Sequence, residues 1–506
     1  MATRLASRMV QQGCKRFSRH STKRQFCSTE NAGGKDITSV SLAQPVSWIP
    51  TPKYATPSDI RHETEVTVLE NGLRVASENK FGQFCTVGVL IDSGSRYEVA
   101  YPSGISHFLE KLAFGNTSKY KNRDLILQEL EKLGGICDCQ GSRDTLVYAA
   151  SAETVGLDKV MDILSDVTLR PLITSEELDD ARMAITFELE SLNLRPDPEP
   201  LLMEMIHAAA YRDNTLGLPK ICPAENVTAI TRKTLYSYMQ SVHTPQRMVV
   251  AGVGMDHGTL VETCNRHFVQ NKSPIWSEDP AVVRSAKPVD KSVSQYTGGI
   301  VAVEKDLSNV SLGPTPMPEL AHVVVGLESC SHKDPDFIAF CVLNMMMGGG
   351  GYHWMYNATA YNHAYDDTGV FCIHASAHPS KLRELVEVVV RELAYTAGMV
   401  YPDELARAKR QLQSMLMMNL ESRPVVFEDI GRQVLTSGQR RQPTYYYDEI
   451  SKITESDIQR VANRMLRSKP AVAAYGTLEN LPKYSDIEAA LSNKNGRMPK
   501  RFLLFR

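Results

Sequence analysis

Three stretches of this 506-residue chain return in the same order about 223 positions later, and that repeat constrains the fold more than any other feature. DTLVYAASAETVGLDKVMDILSDV, from Asp144, and DTGVFCIHASAHPSKLRELVEVVV, from Asp367, share an alternating strand, a short turn and an amphipathic helix, 223 residues apart. The segments from Val227 and Ile450 repeat an N-capped helix followed by a buried strand at the same offset. ITSEELDD opens on a Thr174-Ser175 cap with Glu176 and Glu177 in the first turn, and 227 positions after Glu177 stands Glu404, beside Pro402 and Asp403. Two homologous α+β halves follow, residues 60–270 and 310–492, each a mostly antiparallel or mixed sheet covered by helices, facing each other across a cleft. Residues 271–309, rich in Pro, Ser and Lys, suit a linker crossing the surface. TEVTVLENGLRVASE predicts a hairpin turning on Asn71-Gly72.

Charge and hydropathy exclude some partners. A formal net charge of -2 gives no global pull toward nucleic acid. No apolar run approaches the ~20 residues that span a bilayer. Residues 1–29 differ from the rest: seven Lys and Arg, several Ser and no acid before Glu30. That is the pattern of an organelle transit peptide, so residues 1–33 are expected to direct import into mitochondria and to be removed between Cys27 and Gly34. The ten cysteines show no C-x-x-C spacing and are expected to be free thiols.

SGISHFLEKLAFGNT, residues 103–117, holds the chemically suggestive positions. Ser103 as cap and Gly115 as stop predict a helix over 104–114, with Leu109, Leu112 and Ala113 on its core face and His107, Glu110, Lys111 and Phe114 on another. His107-x-x-Glu110-Lys111 is the inverted zinc-protease motif H-x-x-E-H with Lys in place of the second His. An ammonium has no lone pair to give a metal, so no catalytic residue and no zinc are assigned to this chain; an ion pair of Lys111 with Glu110 or Glu188 is expected instead. From the residues alone, an ordinary amphipathic helix carrying His and Glu is the commoner source of such a pattern. His374 and His378, four residues apart on a strand, stand ~13 Å from each other, too far for one ion, and are expected to be solvated or locally hydrogen-bonded. Asp366 and Asp367 fit a solvated turn. Gly348–Gly351 lack phosphate-loop spacing and give the backbone unusual freedom.

From about Thr64 to Leu491 the chain resembles the pitrilysin-type metallopeptidase family. The resemblance rests on SGISHFLEKLAFGNT, FELESLNLRPDPEPLLMEMIHAAAY, TPQRMVVAGVGMDH, LNMMMGGGG and HWMYNATAYNHAYDDTG. Within that family it is similar to the non-catalytic members of heterodimeric processing peptidases. The resemblance implies that a catalytic beta subunit carries zinc, with this chain as its partner, and that presequences of imported precursor proteins are the substrate. It further implies that His107, Glu110, Lys111 and Glu188, near the distal ligand position, are a degenerate metal site, and that Gly348, Gly349, Gly350 and Gly351 bind substrate. Arg-rich presequences imply acidic groups along the cleft, to which Asp366 and Asp367 are candidate contributors. The structural alternative is a core subunit of the cytochrome bc1 complex, of the same fold. The family's glycine loop continues with Ser, Phe, Ala, more Gly and a Lys before a helix; here Gly351 runs directly into Tyr352-His353-Trp354. The repeat agrees, because Ser103 to Asp144 is 41 positions whereas Asp334 to Asp367 is 33. The second half is therefore expected to have lost a helix.

Overall fold

Among the described residues, alternating and 3.6-residue periods resolve into eleven strands and fifteen principal helices. The computed structural model describes residues 63–499 except 81, 196, 271–272, 308–317, 350–353 and 494. The segment assigned as a transit peptide lies outside the described residues, as do Gly350 and Gly351. The described residues, from Glu63 onward, form one compact unit.

The first half runs β1 (Thr64–Val68), β2 (Arg74–Glu78), β3 (Phe84–Ile91), α1 (Ile105–Lys111), α2 (Arg123–Glu131), β4 (Ile136–Gly141) and β5 (Leu146–Glu153). It continues α3 (Leu157–Leu169), α4 (Ser175–Leu194), α5 (Glu199–Ala210), α6 (Arg232–Val242), β6 (Met248–Val253), α7 (His257–Cys264) and α8 (Pro280–Ser285). The second half has β7 (Gly299–Glu304), β8 (Ala321–Glu328), α9 (Phe337–Met347), β9 (Met355–Ala364), β10 (Gly369–Ala377) and α10 (Leu382–Gly398). It ends α11 (Pro402–Asn419), α12 (Arg423–Ser437), α13 (Pro443–Lys452), α14 (Glu455–Met465), β11 (Ala471–Gly476) and α15 (Tyr484–Leu491).

The sheets repeat one plan. Their orders are β1-β2-β6-β3-β5-β4 and β7-β11-β8-β10-β9; in each, one parallel pairing (β2 with β6, β7 with β11) sits among antiparallel ones. The hairpin turns at Gly72, whose φ of 87° favours glycine. Thr174 and Glu177 form a complete capping box on α4, and Pro402 opens α11. Corresponding cations even bond corresponding carbonyls: Arg182 Nη2 donates to Ile230 O (3.0 Å), Lys409 Nζ to Ile453 O (2.7 Å).

One face of each sheet is covered by its own half and the other by the opposite half. Val87, Val89 and Ile91 pack under α3, whereas Leu90 on the same strand meets Val426, Phe427, Ile430 and Val434 of α12. Reciprocally, Leu202, Ile206 and Ala209 of α5 cover Val324, Val370, Cys372 and Ala473 of the second sheet. Period 2 along a strand makes this two-sided burial, and α5 and α12 are exchanged between the halves. A Cβ at Gly88 would lie 2.6 Å from Phe427 Cζ, so the bare backbone there sets how close α12 comes. Arg96 and Asp367 close the seam with a bidentate pair at 3.1 and 2.7 Å.

Two readings need correction. The stretch read as a surface linker buries Trp276 and Val282 in the first core and supplies β7 to the second sheet. The helix expected over 104–114 is shorter, 105–111, and Ser103 does not cap it. Gly104 is the cap residue, in a left-handed conformation (φ 113°), and the carboxylate of Glu98 accepts from the N–H groups of Gly104 and Ser106, both at 2.6 Å. Phe114 lies beyond the helix, buried with Ile105 and Phe108. The expected loss of a helix from the second half is seen: among the described residues α2 has no counterpart there, and α9 and β9 are separated only by residues 348–354.

Candidate functional site

Helix α1 is too short to hold itself and is fixed by what it touches. Ile105, Phe108 and Leu109 anchor it in the core, and Glu98 satisfies N–H groups at its start. Burial pushes the Glu98 carboxyl up to about 7, against the lowering by its N–H donors.

His107 is buried, 5% exposed, rather than on a solvated face. Its Nδ1 accepts from the Cys222 N–H at 3.2 Å, which leaves the neutral ring's proton on Nε2. That nitrogen faces Glu188 Oε2 at 3.4 Å, and Lys111 Nζ meets the same oxygen at 2.5 Å. Of the two expected partners of Lys111, Glu188 is the one engaged. Glu110 turns away: its Oε2 accepts from Gly141 N–H at 2.9 Å and stands 3.9 Å from Lys220 Nζ. The hydrogen bond from His107, aided by Lys111, holds the Glu188 carboxyl down at about 2.

This set does not fit zinc. One imidazole and one carboxylate converge, but the third group is a cation joined to that carboxylate, and the imidazole presents N–H rather than a lone pair. Among the described residues no three His, Cys, Asp or Glu side chains gather in a metal-holding group. The arrangement is an ion pair and hydrogen bond that tie α1 to α4.

Of the glycine run, Gly348 ends α9 with extended backbone (φ -85°, ψ 127°). Gly349 has φ 79° and no heavy atom within 4 Å of where a Cβ would stand. It is exposed, and its left-handed backbone is a reason for glycine.

The remaining candidates separate. Asp366 is half exposed and pairs with Lys333. Asp367 is not solvated: it holds Arg96 and accepts from Ser294 N–H at 2.8 Å, and these bonds keep its carboxyl below the usual range. His378 is exposed and bonded locally to Ser380. His374 departs from the solvated reading. It is 1% exposed, with Nε2 3.3 Å from Nδ1 of His322 across β8 and β10, and burial keeps both rings neutral. Sequence spacing paired His374 with His378 because both sit in HASAH; only strand register brings His322 to it.

Comparison with known proteins places this geometry. Residues 74–224 match the insulinase (peptidase family M16) model, and residues 229–412 match the peptidase M16 inactive domain. The mitochondrial-processing peptidase subunit alpha of Bos taurus is 55% identical, over 94% of this chain and 94% of its own. That of Homo sapiens is 53% identical, over 100% of this chain and 99% of its own. The Bos taurus mitochondrial-processing peptidase subunit beta is 32% identical, over 84% and 86%. The alignment with the Homo sapiens protein takes 529 positions for 506 residues, so about 23 positions have no residue here.

Proposed function

Because the chain belongs to peptidase family M16, the insulinase or pitrilysin-type family, we propose that it is the non-catalytic, substrate-recognising subunit of a mitochondrial processing peptidase. Such an enzyme removes presequences from imported precursor proteins by hydrolysing a peptide bond. The observation that carries the reading is Lys111: its ammonium, 2.5 Å from Glu188, stands where a working inverted motif has its second imidazole. The chain keeps the scaffold of the site and has replaced the chemistry with a structural ion pair.

In this reading the catalytic beta subunit supplies zinc and the general base. This chain supplies the opposing wall and the glycine stretch 348–351, whose backbone can come close to an extended peptide. Transit-peptide character in residues 1–29 agrees with a mitochondrial location, in the matrix or at the inner membrane. The relatives above carry the processing-peptidase name and lend the cytochrome bc1 reading no support.

The test is cleavage of an Arg-rich presequence peptide by a beta subunit with the intact motif, with and without an equimolar amount of this chain. A gain of at least tenfold in kcat/KM is expected. Absence of any gain from a chain that binds the partner would refute the role and point to the shortened loop after Gly351 as the reason.

A further inference from the structure

The two sheets end on corresponding outer strands, β4 and β9, each paired on one side only, with β5 and β10. Their hairpins show which backbone groups point away from the sheet. Ser142 N–H donates to Thr145 O (2.7 Å) and Tyr365 N–H to Thr368 O (2.8 Å), and bonded and non-bonded pairs alternate along an antiparallel ladder. Cys137, Cys139 and Gly141 of β4 therefore face outward, and so do Ala358, Ala360 and Asn362 of β9. On β4, carboxylates occupy this edge: Asp138 accepts from Cys139 N–H (3.0 Å) and Glu110 from Gly141 N–H (2.9 Å). On β9, among the described residues, no acceptor meets the outward N–H groups of Ala358, Ala360 and Asn362.

The bare edge is also the longer one. β4 starts at Ile136, whose counterpart at the 223-residue offset is Thr359, yet β9 starts at Met355. The counterparts of 355–358 are Lys132 to Gly135, the turn that leaves α2, so the strand has grown into the place from which the helix is missing. Edge strands are ordinarily guarded by Lys, Pro or other charges against pairing with another chain. MYNATAYNHA, ten residues long, contains no Lys, Arg, Asp, Glu or Pro. A bulge at Tyr356 ends the regular ladder, which leaves Asn357 to Ala364 as its straight part.

We propose that β9 pairs with β9 of a second copy of this chain, antiparallel about a two-fold axis at Thr359, so that two second-half sheets join into one. Such pairing must set outward residues against outward residues, and a centre at Thr359 does so. Each Ala358 exchanges both backbone bonds with the Ala360 opposite it. Asn357 then faces Tyr361, and Thr359 faces its own copy in a Thr–Thr pair. The occupant is a second copy because the strand is its own complement: small side chains meet small ones at the centre, and no charge is present to select a foreign strand. The contact joins two chains whatever each does with a catalytic partner.

Sedimentation velocity of the full chain, alone and assembled with its catalytic partner, reads the association: mass is expected to double as concentration rises. Added salt should leave the doubling intact, because no charge crosses the contact. Thr359→Lys sets two ammonium groups against each other and is expected to raise the dimer dissociation constant at least tenfold, with assembly on the partner unchanged. Cross-linking tests the register without relying on that variant. Under oxidation Thr359→Cys is expected to give a disulfide-linked dimer, since directly opposed residues of a non-hydrogen-bonded pair stand about 4.5 Å apart at Cα. Tyr356→Cys, at a 57% exposed position, should give none, because six residues of paired strand hold it ~20 Å from its copy. Equal cross-linking at the two positions overturns the proposal. So does a mass that never doubles, and so does cross-linking of Thr359→Cys to the catalytic partner instead of a second copy.

Discussion

Lys111 decides what the motif helix can be, and it does so through Glu188. A carboxylate held at about 2 by His107 and Lys111 stabilises the fold fully above its ordinary value of ~4.5 and loses that contribution as pH falls toward 2. Lys111→Met is expected to move the Glu188 titration upward, toward the ordinary carboxylate range, read from its side-chain carboxyl resonance by NMR. The remaining His107 bond should keep it below ~4.5, because that bond is the larger cause of the depression. Lys111→His removes the cation and adds a lone pair, so one zinc per chain by metal analysis is the expected gain, against none for the wild type. Lys111 and Glu188 were legible in the sequence because a motif with one wrong letter advertises the missing chemistry. Glu98 was not: it caps α1 from outside the helix, and a carboxylate six residues before a glycine matches no local capping signature.

At the scale of elements, periodicity named the strand–helix units from Asp144 and Asp367 and the helix–strand units from Val227 and Ile450, since alternation and 3.6-residue spacing are local properties of the chain. It could not say which sheet a helix covers. Helices α5 and α12 have the apolar spacing of core helices, and nothing in LLMEMIHAAA or RPVVFEDIGRQVL states that the core belongs to the other half. The exchange makes a prediction about distance in sequence. Phe427, 2% exposed, belongs to the second half but rests on β3 and β6 of the first. Phe427→Ala is expected to cost about 3–5 kcal/mol. Amide hydrogen exchange should rise first in β3 and β6, more than 170 residues away in the chain, and not in β8 or β10. Faster exchange confined to the second sheet would contradict the exchanged packing.

For the whole molecule, the repeat foretold two similar halves, while their dependence on each other came only from packing. Each sheet alone would expose an apolar face: Ala76, Leu90, Val249, Ala251 and Val253 in the first, Val324, Val370, Cys372 and Ala473 in the second. Splitting Arg96 from Asp367 would also leave a buried guanidinium without its anion, a loss of about 3–5 kcal/mol. A fragment of residues 63–285 is therefore expected to aggregate when made alone, and so is one of residues 286–499. Produced together they should form a soluble one-to-one complex, because each brings the helix that the other's sheet requires. Size-exclusion chromatography with mass measurement reads the outcome. A monomeric, cooperatively melting 63–285 fragment would mean that the first sheet does not need α12, and the halves would then be neighbours rather than parts of one folding unit.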